Sequence, residues 1–384
     1  MTDIMDYLDW RGDLSFKQAA FNEVDNLILS QLAYVNFDGI VPGIAYDECV
    51  TLEAACELFF KINDEKEILK DKSLTRLGGT ILMKKMVQSE RFRKLRLCKY
   101  KNQVDYEEQK QFAALHMELE DETIYIAFRG TDDTIIGWKE DFNMSFMTPI
   151  PAQIEAVNYI NQTTAHLKQE IRIGGHSKGG NLAIYAAVKC REEIKEKILK
   201  VYNNDGPGFN KEMIMSRDYQ KMLRKIETIV PQSSVVGMLF EHEEEYIVVK
   251  SKQIGLMQHD AMSWEVLGGQ FVYLDKISRR SQMLDDTLKA WINSLSEEER
   301  AQFVDSLFVI LEGTGAKTLS DLSKARLKKA SMILKSYQAM DHTTQEMLLQ
   351  TIKLLTNEYY KAFKQSFIKK NNDKENNKKG INTI

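Results

Sequence analysis

No stretch of this 384-residue chain approaches the roughly 20 consecutive apolar residues that a membrane span requires. Its first residues, Met1-Thr2-Asp3-Ile4-Met5-Asp6-Tyr7, are acidic and interrupted, where a secretory signal would be basic and then apolar. Cysteine is scarce. Cys49, Cys56, Cys98 and Cys190 lie far apart with no C-x-x-C pair, which suggests neither a zinc site nor a disulfide framework. These absences predict a cytoplasmic protein with reduced thiols and no transmembrane segment, and they leave open only peripheral contact with a membrane. A net charge of -4 provides no basic footprint, which argues against a general nucleic-acid binder. No internal repeat is visible. What remains is an ordinary soluble composition, 43% hydrophobic and 28% charged, long enough for two or three folding units.

The most informative stretch is Ile171-Arg172-Ile173-Gly174-Gly175-His176-Ser177-Lys178-Gly179-Gly180-Asn181-Leu182-Ala183. Alternating β-branched residues predict the end of a buried strand, and Leu182, Ala183, Ala186 and Ala187 then recur at helical spacing. Between them, residues 175–179 match G-x-S-x-G in the strand–turn–helix context that this motif needs. Such a turn lifts the Ser177 hydroxyl clear of the sheet and brings the Lys178 N–H to a helix N-terminus, where an oxyanion can be met. A phosphate-binding loop would require Lys before Ser, and the order here is reversed.

The chain around it divides by pattern. Residues 1–80 predict amphipathic helices, with Phe21, Val24, Ile28, Leu32 and Val35 spaced by three and four, and another such run over 51–60. A further helix is expected over 82–93. Strands follow over 95–104, 111–119 and 123–128, the last running into Arg129-Gly130-Thr131 and then Trp138-Lys139-Glu140-Asp141-Phe142. Helix 152–169, strand 198–203, helix 212–224 and strands 226–230 and 246–250 alternate, which predicts a mainly parallel sheet covered on both faces, with 271–274 as one more strand. From residue 278 the pattern is only helical. Ser296-Glu297-Glu298-Glu299 and Thr343-Thr344-Gln345-Glu346 read as capping boxes. The expected organisation is an N-terminal helical segment over 1–80, an α/β-hydrolase core over 81–277, a C-terminal helical region over 278–368 and a disordered tail over 369–384.

A serine needs a base to take its proton and a third group to orient that base. Of the histidines after Ser177, His242 sits in the acidic run 241–245, which reads as a solvated turn, and His342 lies in the helical region. His259 follows a late strand by a short loop, where the base of an α/β-hydrolase stands. His176 belongs to the elbow and faces the wrong way. For the acid, Asp205 ends the strand after the Ser177 helix. Asp260 is the alternative, but adjacent side chains seldom orient each other.

Phe128-Arg129-Gly130-Thr131 together with the 175–180 motif resembles the class 3 lipases, α/β-hydrolases acting on lipid esters. More closely, the chain resembles the Mbeg1-like proteins, a bacterial family of uncharacterised α/β-hydrolases. That likeness spans roughly residues 1–275 and rests on six motifs in order. They are Asp6-Tyr7-Leu8, Asn22-Glu23-Val24-Asp25, Gly175–Asn181, Asn204-Asp205-Gly206-Pro207-Gly208-Phe209, residues 230–237, and His259-Asp260-Ala261-Met262-Ser263-Trp264. The lipase resemblance implies Ser177 as nucleophile, His259 as base, and Thr131 with the Lys178 N–H as oxyanion hole. One departure matters. Where those lipases carry their acid, this chain reads Ser233-Ser234-Val235-Val236, so the acid is displaced to Asp205 or is missing. The expectation is a serine esterase without metal or organic cofactor, acting on a small acyl or lipid ester through a Ser177 acyl-enzyme. The rival is a silent α/β-hydrolase-fold binding protein. Either the N-terminal helices or the C-terminal bundle could cover the site.

Overall fold

The computed structural model describes residues 2–68, 74–132, 134–318, 321, 326–354 and 356–357. At its centre is a nine-stranded sheet in the order β1-β2-β3-β4-β5-β6-β7-β8-β11. The strands are β1 Val50–Thr51, β2 Arg96–Asp105, β3 Lys110–Glu118, β4 Ile124–Phe128, β5 Ile171–His176, β6 Ile198–Asn204, β7 Ile226–Pro231, β8 Tyr246–Val249 and β11 Tyr273–Leu274. The centre, from β4 to β8, is parallel, whereas β1 to β4 and the β8–β11 edge are antiparallel. A short pair, β9 Val266–Leu267 and β10 Gln270–Phe271, stands apart from this sheet.

The parallel strands are buried on both faces, as parallel strands with helices on each side must be. Along β4, Ile124, Ile126 and Phe128 enter one core while Tyr125 and Ala127 enter the other, following the two-residue pleat. One core is completed by the helices Pro151–Thr164 and Lys178–Lys189 through Ala156, Ile160, Leu182 and Ala186. The other is completed by the N-terminal helices Ile4–Arg11, Glu23–Leu32, Leu52–Ile62 and Leu74–Met86. From Val24 to Leu32 every residue is buried, far more than the stripe read from the sequence.

Several expectations shift. The helix expected over 82–93 is Leu74–Met86, and the chain beyond it turns so that Arg91 enters the core. The helix expected over 212–224 is broken at Ser216, whose hydroxyl caps a second helix by accepting from Tyr219 N–H at 3.3 Å. The second capping box is displaced. Asp341, not Thr343, receives the Thr344 N–H at 3.0 Å at the start of helix 342–354. The thiol reading also fails, because Cys49 and Cys98 form a disulfide with Cα atoms 4.6 Å apart. Val50 pairs with Leu97, so β-register places these cysteines opposite each other although 49 residues separate them. Cys56 and Cys190 are free and buried. None of the described helices is long and apolar enough to cross a membrane. The tail from Lys369 lies outside the described residues.

The C-terminal helices Arg279–Asn293 and Glu297–Glu312 pack on the core. Phe303, Val304 and Phe308 share a cluster with Ile135, at the start of helix Ile135–Asn143. Asp25 and Arg91 hold the N-terminal layer. Both side chains are fully buried, with Arg91 Nε 2.8 Å and Nη2 2.6 Å from the two carboxylate oxygens. Tyr7 Oη donates to the same carboxylate at 2.9 Å. Removing Asp25 leaves an uncompensated buried guanidinium, so Asp25→Ala is expected to cost about 3–5 kcal/mol in urea unfolding.

Candidate active site

Ser177 sits between β5 and its helix with φ 58° and ψ -135°, a backbone conformation that a non-glycine residue adopts only under strain. The crossing leaves no room beside it. A Cβ on Gly175 would lie 2.3 Å from the Gly179 backbone, and one on Gly179 would lie 2.2 Å from the Phe128 carbonyl. The two framing glycines of the motif are therefore demanded by packing.

The residues assembled from sequence meet at the carboxyl edge of the sheet. Asp205 directly follows β6, and His259 ends a short 3-10 turn, Gly255–His259, beyond β8. His259 Nδ1 lies 2.7 Å from Asp205 Oδ2, and Asp205 is fully buried. Its other oxygen, Oδ1, accepts from Ser234 Oγ at 2.5 Å. The segment where the lipase pattern carries an aspartate supplies a hydroxyl that reaches the same carboxylate from the other side. Asp260 instead caps a turn, accepting the Met262 N–H at 3.1 Å.

Thr131 and Lys178 line the same cavity as Ser177. The Thr131 hydroxyl donates to Asp141 Oδ1 at 2.7 Å. As the first residue of its helix, Lys178 has a backbone N–H with no acceptor inside the helix. Its side chain is buried and turned away, with Nζ 2.7 Å from Glu140 Oε2 and 3.2 Å from the Gln111 carbonyl. Glu140 also accepts the Gln111 and Ala152 N–H groups at 3.1 and 2.9 Å, so one buried pair ties the elbow to three segments. Burial pushes the Asp141 carboxyl up to about 6, although Lys178 and the Thr131 bond pull it the other way.

Sequence reasoning missed the support behind the histidine. His176 is fully inside, and its Nε2 is 2.8 Å from the His259 carbonyl, so that nitrogen carries the hydrogen. Nδ1 then accepts from Tyr34 Oη at 3.2 Å, and the His176 and His259 rings lie 4.6 Å apart at a tilt of 34°. Burial, and then the charge of His259, hold His176 far below the usual imidazole value, so it stays neutral. Its position beside the serine was the available signal; Tyr34, 142 residues away, offered none. His242 is corrected: it is buried against Glu244, with Nδ1 3.1 Å from Oε1, not in a solvated turn. Burial acts to raise the Glu244 carboxyl, but His242, Thr228 and Tyr219 bring it down to about 2. His342 is exposed on its helix near Glu346.

Ser177 and His259 line one cavity of about 460 Å³. Trp138 and Phe142 of the Ile135–Asn143 helix wall it on one side, and Leu288 and Trp291 of a C-terminal helix wall it on another. The C-terminal helices thus cover the site, a choice that the sequence left open.

A parallel-centred sheet with a strained serine elbow at its carboxyl edge places the chain in the α/β-hydrolase class. Within that class it belongs to the Mbeg1-like family, whose model matches residues 86–309. Among curated proteins, fatty-acid and retinol-binding protein 1 of Onchocerca volvulus is 31% identical over 102 residues, 25% of this chain and 57% of that protein. Its counterpart in Litomosoides sigmodontis matches to the same extent. The chain therefore spans little more than half the length of these relatives. Among solved structures, a fungal lipase in complex with an inhibitor is 19% identical, with TM-score 0.29, over 41% of this chain and 66% of its own. The M37 lipase is 17% identical, with TM-score 0.33, over 55% of this chain and 68% of its own.

Because the folded protein holds a proton on Asp141 more tightly than the unfolded chain does, this group favours folding fully below about pH 4, and that contribution fades as pH rises through about 6. Asp141→Asn escapes this loss. Its unfolding free energy, relative to wild type, is expected to improve by roughly 2–3 kcal/mol from about pH 4 to about pH 7 in urea titrations.

Proposed function

We propose that this protein is a serine hydrolase that cleaves a carboxylic ester of a lipid-like acyl substrate through a Ser177 acyl-enzyme. The observation that carries this reading is the 2.7 Å pair between His259 Nδ1 and the buried Asp205 carboxylate, beside a strained serine that lines the same cavity. Ser177 Oγ attacks the ester carbonyl while His259 Nε2 takes its proton. Asp205 holds the Nδ1–H tautomer and stabilises the imidazolium. The oxyanion is met by the Lys178 N–H, and by the Thr131 hydroxyl when Asp141 supplies the hydrogen of their shared bond. The imidazolium then protonates the departing alcohol, and water attacks the acyl-enzyme by the same route in reverse. The largely apolar walls suit an acyl chain. The partial match to a fatty-acid and retinol-binding protein is in keeping with such a ligand.

A serine-directed fluorophosphonate is expected to add one adduct to wild type and none to Ser177→Ala, read by intact mass. Labelling that persists in Ser177→Ala removes the assignment. On an ester that wild type cleaves, Asp205→Asn is expected to lower kcat by ~10⁴-fold with the fold intact, whereas Asp260→Asn stays near wild type. A loss with Asp260→Asn alone transfers the role of the acid.

A further inference from the structure

The two helices that follow the sheet are fastened on both sides of the cleft. At one side, Ser281 Oγ donates to the Ser234 carbonyl, and Ser233 Oγ donates to Ser278 Oγ at 3.0 Å. Ser234 is the residue whose hydroxyl binds Asp205. At the other side, Asp305 pairs with Lys139 at 2.9 Å, Phe308 packs edge-on against Phe142 at 5.7 Å, and Arg300 donates to the Ser145 carbonyl. Those partners lie on or just beyond the helix that follows the Thr131 loop. Residues 279–312 therefore bridge from the support of the acid to the oxyanion side, across the front of Ser177.

Between these attachments the bridge turns apolar side chains inward. Leu288 and Ile292 share one face of the first helix, Leu295 follows in the turn after it, and Val304 comes from the next helix, all of them lining the cavity that holds Ser177 and His259. A cavity of about 460 Å³ falls in the range of roughly 300–1,000 Å³ that small-molecule ligands fill. That size, with these apolar walls, suits a single medium-length acyl chain with its ester group.

We propose that residues 279–312 are the chain-length gauge of the site, and that the substrate presents a single straight acyl chain of medium length, as in a monoacyl ester. The inference rests on the hydrolase reading above, since the chain is located by its carbonyl at Ser177. Leu288 and Ile292 set the length by filling space beside the chain, as specificity residues that take no part in the chemistry. The bridge cannot be read as a free appendage, because its attachments touch the supports of both the acid and the oxyanion loop.

The test uses the full chain and 4-nitrophenyl esters from acetyl to hexadecanoyl, with thermal unfolding to confirm that each variant is folded. Wild type is expected to prefer chains of about 8 to 14 carbons. Leu288→Trp should lower kcat/KM for the dodecanoyl ester at least about tenfold relative to that for the acetyl ester, by the discrimination that a few heavy atoms give in an apolar pocket. Leu288→Ala should move the optimum to longer chains, and it alone carries the test if Leu288→Trp does not fold. Fluorophosphonate labelling of Ser177 with a chain-length profile identical in all variants, or a wild-type profile falling steadily from acetyl, overturns the gauge. Folded wild type with neither labelling nor hydrolysis overturns the hydrolase reading itself, which separates the two failures.

Discussion

A carboxylate with no access to water has to be satisfied from every side, and Asp205 imposes that demand on four parts of the chain. It leaves β6 with a positive φ of 54°, held by a bond from its own N–H to the Ile229 carbonyl at 2.8 Å. One oxygen requires His259, which fixes the loop beyond β8. The other requires Ser234, which fixes the loop beyond β7, and through Ser281 that loop fixes the start of the C-terminal helices. An unpaired charge at this depth would cost several kcal/mol, so these loops are tied to one another rather than independently adjustable.

The serine has a comparable dependence on the N-terminal layer. Asn26 exchanges hydrogen bonds with Asn204 at 2.9 and 3.2 Å, and Asn204 also donates to the Gly175 carbonyl at 3.1 Å. Tyr125 Oη closes the group on Asn26 at 2.6 Å. Helix Glu23–Leu32 thus reaches the backbone on which Ser177 is mounted, and Tyr34, just beyond it, reaches His176. The packing role of this layer and the placement of the serine rest on the same side chains.

How much of this was legible in the sequence follows from the range of the forces involved. The parallel strands and the elbow were readable because pleat alternation and the glycine spacing are local. His259 and Asp205 were readable because connections in a parallel sheet place successive loops at one edge, and the structure does bring them together. What stayed hidden depends on register and three-dimensional closure. The Cys49–Cys98 disulfide follows from an antiparallel pairing that composition cannot show. His242 looked solvated because its neighbours are acidic, yet one of those, Glu244, is the partner that lets it be buried. Glu140 is fully buried and balanced by a lysine from the elbow, a pairing across 38 residues that no local pattern announces.

The positive φ at Ser177 sets the chemistry of the elbow against its conformational ease. Backbone strain of this kind costs on the order of 1–3 kcal/mol, and glycine alone escapes it. Ser177→Gly would therefore relieve that strain while abolishing the hydroxyl. The serine therefore costs the fold more at this position than a glycine would.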